Sequence, residues 1–133
     1  MKKSLGFTLI ELLVTMTIIA MLLAISLISY QGARKSSRDG KRKADLEQIR
    51  SALEMYRTDV HRYPDALGTE IKTETQSYLT TVPSDPLSDR KYSYAVTTNT
   101  NGYNLCAALE VGGGIVTNCG SCTIDCNYKV TNP

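Results

Sequence analysis

The chain has 133 residues, 42% of them apolar, with 15 basic and 13 acidic side chains and a net charge of +2. That length allows one compact domain plus a membrane segment, and the near balance of charge excludes the global basic bias of a nucleic-acid binder. There is no Trp and only 1 Phe, but there are 8 Tyr, which predicts a thin core with much half-wet surface.

Met1-Lys2-Lys3-Ser4-Leu5-Gly6 is a short basic leader, and an apolar run begins at Phe7. From Phe7 to Tyr30 the one charged residue is Glu11. The run holds about 24 residues, roughly 36 Å of helix, enough to span a bilayer. A carboxylate at the bilayer centre costs roughly 2.5–3.5 kcal/mol, and less near the interface, so something must offset Glu11. A secretory signal carries its small-residue cleavage site after the apolar core. Here the small residue is Gly6, in front of the core. A cut there removes Lys2 and Lys3 and keeps the helix.

Gly6-Phe7-Thr8-Leu9-Ile10-Glu11-Leu12-Leu13-Val14 resembles the prepilin signature of the type IV pilin and type II secretion pseudopilin superfamily. The resemblance implies that a membrane prepilin peptidase cuts between Gly6 and Phe7 and methylates the new amino group on Phe7. Glu11 then becomes the fifth residue of the mature chain and neutralises the amino terminus of a neighbouring subunit. Opposite charges attract strongly in a low-dielectric bundle, and each is expensive alone. The bland alternative has Glu11 serving only its own helix N-terminus, worth about 0.3–1 kcal/mol. Many pilins carry a Pro inside the apolar segment; this chain has none there.

Arg34, Lys35, Arg38, Lys41, Arg42 and Lys43 follow the run, against a single Asp39. The positive-inside rule favours this cluster in the cytoplasm and so opposes an external head. The leader motif is the more specific signal. On the pilin reading the cluster lies against headgroups before assembly and among neighbouring stems afterwards; the alternative is a solvated, snorkelling helix face.

From Leu46 the apolar positions Leu46, Ile49, Leu53, Tyr56, Val60 and Tyr63 fall 3, 4, 3, 4 and 3 apart. That is the stripe of an amphipathic helix lying on its own sheet. Glu54 is placed to pair with Arg50 or Arg57, and Pro64 stops the helix near Tyr63. Residues 64–89 read as loop, with a short helix possible over Thr73–Leu79. Tyr92, Tyr94 and Val96 alternate as a strand; Tyr103, Leu105, Ala107 and Leu109 alternate as its partner, with Asn101-Gly102 in the turn. Gly112-Gly113-Gly114 makes a further turn, and Ile115-Val116 offers a third strand. The tail from Cys119 to Pro133 has little apolar content, so disulfides should hold it down. The domains are thus 1–6 leader, 7–30 membrane or filament-core helix, 31–63 amphipathic stem and 64–133 head. The expected fold is α+β and type IV pilin-like: a long N-terminal helix on a small antiparallel sheet.

Cys106, Cys119, Cys122 and Cys126 crowd the last quarter of the chain. Beyond a membrane segment such a set reads as disulfides, with three pairings possible. The preferred one bonds Cys106 into the tail and pairs the remaining two. In a cytosolic domain the same four thiolates would suit zinc. His61 sits on the polar side near the helix end with no ligand partner. Asp85 and Asp89 flank a loop and could bind calcium, as such loops do in one pseudopilin class that this chain resembles. Two acids are thin for a site wanting 6–8 oxygens, and turn formation is the simpler role. No catalytic constellation or cofactor site is evident, so no enzyme, cofactor or metal is expected.

The reading that follows is a type IV pilus subunit for adhesion, motility or DNA uptake. Its rivals are a type II secretion pseudopilin, a DNA-binding or adhesive minor subunit, and a membrane-anchored protein with a cytosolic zinc domain. The resemblance implies several partners: prepilin peptidase, identical or related subunits, an inner-membrane platform with its ATPase, and lipid before assembly. It implies an inner-membrane precursor with its head outside, and then an extracellular filament.

Overall fold

The computed structural model describes residues 6–97 and 101–132. It divides into two units, residues 1–35 and 36–133. Helix α1 covers Leu9–Val60 and so contributes to both.

In the first unit the helix is apolar and long enough to cross a membrane. Leu9, Leu13, Met16, Leu23 and Leu27 are all exposed. A soluble helix hides such a face, and this one is apolar all round, as a membrane span is. Gly32 and Gly40 stay helical, with open space where a Cβ would stand.

In the second unit the helix meets two small antiparallel sheets. Strands β1 (Ile71–Lys72) and β2 (Ser77–Leu79) form a two-stranded hairpin. Strands β3 (Ser93–Val96), β4 (Tyr103–Ala107) and β5 (Tyr128–Thr131) form a sheet in the order β3-β4-β5. Register pairs Tyr94 with Leu105, and Leu105 with Val130. The core lies between helix and sheet: Leu46, Ile49, Ala52 and Leu53 from α1 meet Tyr103, Leu105, Ala107 and Val130. The 3-4 spacing therefore marks the buried stripe as far as Leu53, while Tyr56 and Val60 are half-buried at its end.

The helix ends three residues before the expected boundary at Tyr63. His61 takes a left-handed φ of 59°, and its amide donates to the Arg57 carbonyl at 2.8 Å. That is an αL cap with His where Gly is usual. Tyr63 then turns back into the core, fully buried, its ring edge-on to Tyr103 at 4.7 Å. Its hydroxyl donates to the Glu54 carboxylate at 2.9 Å, and Tyr103 donates to the same group at 3.2 Å. Glu54 thus serves two tyrosines rather than Arg50 or Arg57, and Arg50 reaches Glu47 at 3.4 Å.

Three further expectations are corrected. Thr73–Leu79 forms no helix. Thr73 accepts from the Gln76 amide at 3.1 Å through its hydroxyl and turns the chain between β1 and β2. Ile115-Val116 is not a strand; Ile115 is fully exposed. The open edge of β4 is taken instead by Tyr128–Thr131, so the tail is held by a strand as well as by sulfur. Strand β4 also stops at Ala107, short of Leu109. Of the expected 98–102 turn, residues 98–100 lie outside the described residues, but Thr97 donates to the Gly102 carbonyl at 2.8 Å, which closes it.

Candidate functional site

The start of the helix carries the processing and assembly residues expected from the sequence. Gly6, Phe7 and Thr8 precede the first helical residue, Leu9; residues 1–5 of the leader lie outside the described residues. Phe7 is 82% exposed. Thr8 is the N-cap. Its amide and hydroxyl donate to Glu11 Oε2 at 3.0 and 2.8 Å, and its hydroxyl accepts from the Glu11 amide at 3.3 Å. Thr8-Leu9-Ile10-Glu11 is a capping box. In the single chain Glu11 therefore satisfies its own helix N-terminus. Thr8 is a site residue that the sequence reading passed over, although the Thr-x-x-Glu pattern announces it.

A second polar constellation lies in the 36–133 unit. Arg42, one of the expected surface bases, is completely buried. Its guanidinium grips Asp85 in a two-pronged pair, Nε and Nη2 each at 2.8 Å. Nη1 donates to Asp39 at 2.8 Å and to Glu110 at 2.9 Å. Arg38 adds a hydrogen bond from Nε to Glu110 at 2.6 Å. Asp39 in turn accepts from the amides of Glu110 and Val111 at 2.9 and 2.7 Å. One cation thus ties the helix to the Asp85 loop and to the segment after β4. Lys35, Lys41 and Lys43 stay exposed, so the basic cluster divides into a solvated set and a buried one.

The charges respond to this packing. Hydrogen bonds from Arg38, opposed by burial and aided by Arg42, pull the Glu110 carboxyl down to about 2. Burial pushes Asp85 up, but Arg42 and the Leu87 amide more than reverse it, leaving it below its ordinary value. Arg42 is held above the ordinary arginine value, chiefly by its Asp85 hydrogen bonds against burial. Burial raises Tyr92, whose hydroxyl donates to Asp45 at 2.7 Å.

Asp85 accordingly has both oxygens committed to Arg42 and forms an Asx turn with Leu87 at 2.9 Å. Its oxygens are thus turned to Arg42 and the Leu87 amide, the turn role expected of it, while Asp89 is an exposed loop residue. Among the described residues no group of His, Cys, Asp or Glu is arranged to hold a metal ion. The cysteines are joined as Cys106–Cys119 and Cys122–Cys126. Cys119 and Cys122, separated only by Gly120 and Ser121, thus belong to different bridges. His61 belongs to the helix cap described above.

Two family descriptions match the chain. Residues 1–27 match the prokaryotic N-terminal methylation motif. Residues 29–112 match type II secretion system protein G. The chain belongs to the type II secretion protein G family. Among relatives, type II secretion system core protein G of Escherichia coli K12 is 28% identical over 97 residues, 63% of this chain and 67% of that one. The protein of the same name from Dickeya chrysanthemi is 28% identical over 98 residues, 64% of each chain. That from Klebsiella pneumoniae is 33% identical over 64 residues, 48% of this chain and 46% of its own. This chain thus spans about two thirds or less of these relatives' length. No solved structure matches it. The protein G match covers the stripe, the Arg42 network and strands β1 to β4, and stops at Gly112 before the cysteine-bridged tail. Within the superfamily expected from the leader, these matches favour the secretion pseudopilin over the surface pilin.

Proposed function

We propose that the chain is a pseudopilin, a structural subunit of a type II secretion filament, with no catalytic role. Prepilin peptidase cuts the membrane precursor after Gly6 and methylates Phe7. The subunit then leaves the membrane by polymerising with identical or related chains on an inner-membrane platform driven by an ATPase. The match of residues 29–112 to protein G carries this reading. Its physical support is a wholly exposed apolar helix opened by Glu11. Lipid or sister helices can cover that helix, and only sister helices bring an amino terminus within reach of the carboxylate. The two disulfides support a head on the oxidising side of the membrane.

A deletion strain tests it: loss of protein export with surface fibres intact is expected, and loss of surface fibres with export intact would return the chain to the pilus.

A further inference from the structure

Cys106, Ala108 and Cys122 form a second buried cluster apart from the main core, with Cys119 and Cys126 packed against it. Sulfur supplies most of that cluster. Each bridge joins a fully buried cysteine to a half-buried one, Cys106 to Cys119 and Cys122 to Cys126. Between β4 and β5 the chain forms no helix or strand; Ala108 and Leu109 at its start are buried, but beyond Gly112 to Gly114 Ile115 and Ile124 face outward and Val116 is only half-buried. Little else apolar holds this stretch down. Strand β5 beyond it buries one side chain, Val130.

The near end of the stretch is held differently. Glu110 and Val111 are fixed to Arg38, Arg42 and Asp39 by charge and hydrogen bonds that do not involve sulfur. Gly112 and Gly113 follow directly, at φ of 75° and 102°, the left-handed conformation glycine adopts freely. The fold therefore has an anchored point, two left-handed glycines, and a distal segment held to β4 by the β5 ladder, by Asn127 hydrogen bonds to Ala107 and Leu109, and by the one bridge that reaches out of the segment, Cys106–Cys119.

We infer that the Cys106–Cys119 bridge, the one that ties residues 112–132 to β4, is a redox latch on that segment. Oxidation docks β5 and the loops before it; reduction releases them about Gly112 and Gly113 while the helix and the β3–β4 pair stay folded. The partner is a thiol–disulfide exchanger, and its entry points are the half-buried sulfurs of Cys119 and Cys126. On closure the Cys119 thiolate attacks the donor's disulfide, forming a mixed disulfide and expelling one donor thiolate. The Cys106 thiolate then attacks the Cys119 sulfur, forming the Cys106–Cys119 bond and releasing the donor's second thiolate. The donor accepts two electrons and the two cysteine protons and leaves as a dithiol. Cys126 and Cys122 repeat the exchange with a second donor. Until the Cys106–Cys119 bond forms, β4 shows a bare edge, open to wrong pairing, so the oxidised head is the form fit for assembly.

Amide hydrogen exchange on the full chain in detergent micelles, oxidised against reduced with a phosphine, reads the latch directly. Reduction of the folded wild-type chain avoids variants that fail to fold. Exchange at Tyr128–Thr131 should quicken by roughly tenfold or more, with Leu46–Leu53 and Ser93–Val96 unchanged. The C106A/C119A variant should match the reduced chain. Glutathione disulfide added to the C106A or C122A variant should leave its adduct on Cys119 or Cys126 respectively. Unchanged exchange at Tyr128–Thr131 after reduction, or loss of protection throughout the helix and β3, would overturn the proposal.

Discussion

Arg42 is the residue whose removal should cost the head most. Three carboxylates, Asp39, Asp85 and Glu110, face its guanidinium with side chains under a tenth exposed. Arg42→Met should lower unfolding stability by about 3–5 kcal/mol, because it leaves buried acids without their cation; urea titration of the full chain in micelles measures it. Acid should act on the same network. Glu110 takes up its proton near its ordinary 4.5 when unfolded but only near 2 when folded. The unfolded chain therefore binds more protons in that window. The stability from Glu110 is complete above about pH 4.5 and falls away towards pH 2, with Asp85 adding in the same direction. Glu110→Gln should flatten the slope in that window. The sequence could not reveal this network. Arg42 and Lys41 look alike in a basic run, and only the fold decides which faces Asp85, 43 residues away.

At the scale of elements, sequence periodicity succeeded where elements were long and failed where they were short. The helix, its buried stripe and the β3–β4 pair all span enough residues for a 3.6 or 2 period to appear. Strands β1 and β2 have 2 and 3 residues, too few to alternate visibly. Strand β5 alternates apolar Tyr128 and Val130 with polar Lys129 and Thr131, but it has only 4 residues and buries Val130 alone, too little for a period to stand out. Ile115-Val116 looked like a strand and failed because both edges of β4 were already taken. The helix end was misplaced because His61, not Pro64, stops it. Since the left-handed conformation costs an L-residue roughly 1–2 kcal/mol, most of all a β-branched one, His61→Gly should be tolerated or mildly stabilising. His61→Val should be less stable than His61→Gly by about that amount, again by urea titration. Gly113→Ala should loosen the tail, because its Cβ would stand 2.6 Å from the Asn127 side chain at a φ of 102°.

At the scale of the whole molecule, the leader motif pointed to the superfamily but not to the member. The distinction rests on the protein G match over residues 29–112, which lies beyond the leader motif. The physical claim common to pilin and pseudopilin is that a carboxylate in an apolar helix favours assembled chains over solitary ones. Glu11→Gln tests it cleanly, because Gln can also complete the capping box with Thr8 and so removes the charge while keeping the cap. The variant is expressed in a deletion strain, and filament formation is read by cross-linking of membrane and sheared fractions. The expected result is a processed, membrane-held subunit with no cross-linked ladder; a ladder at the wild-type level would contradict the claim.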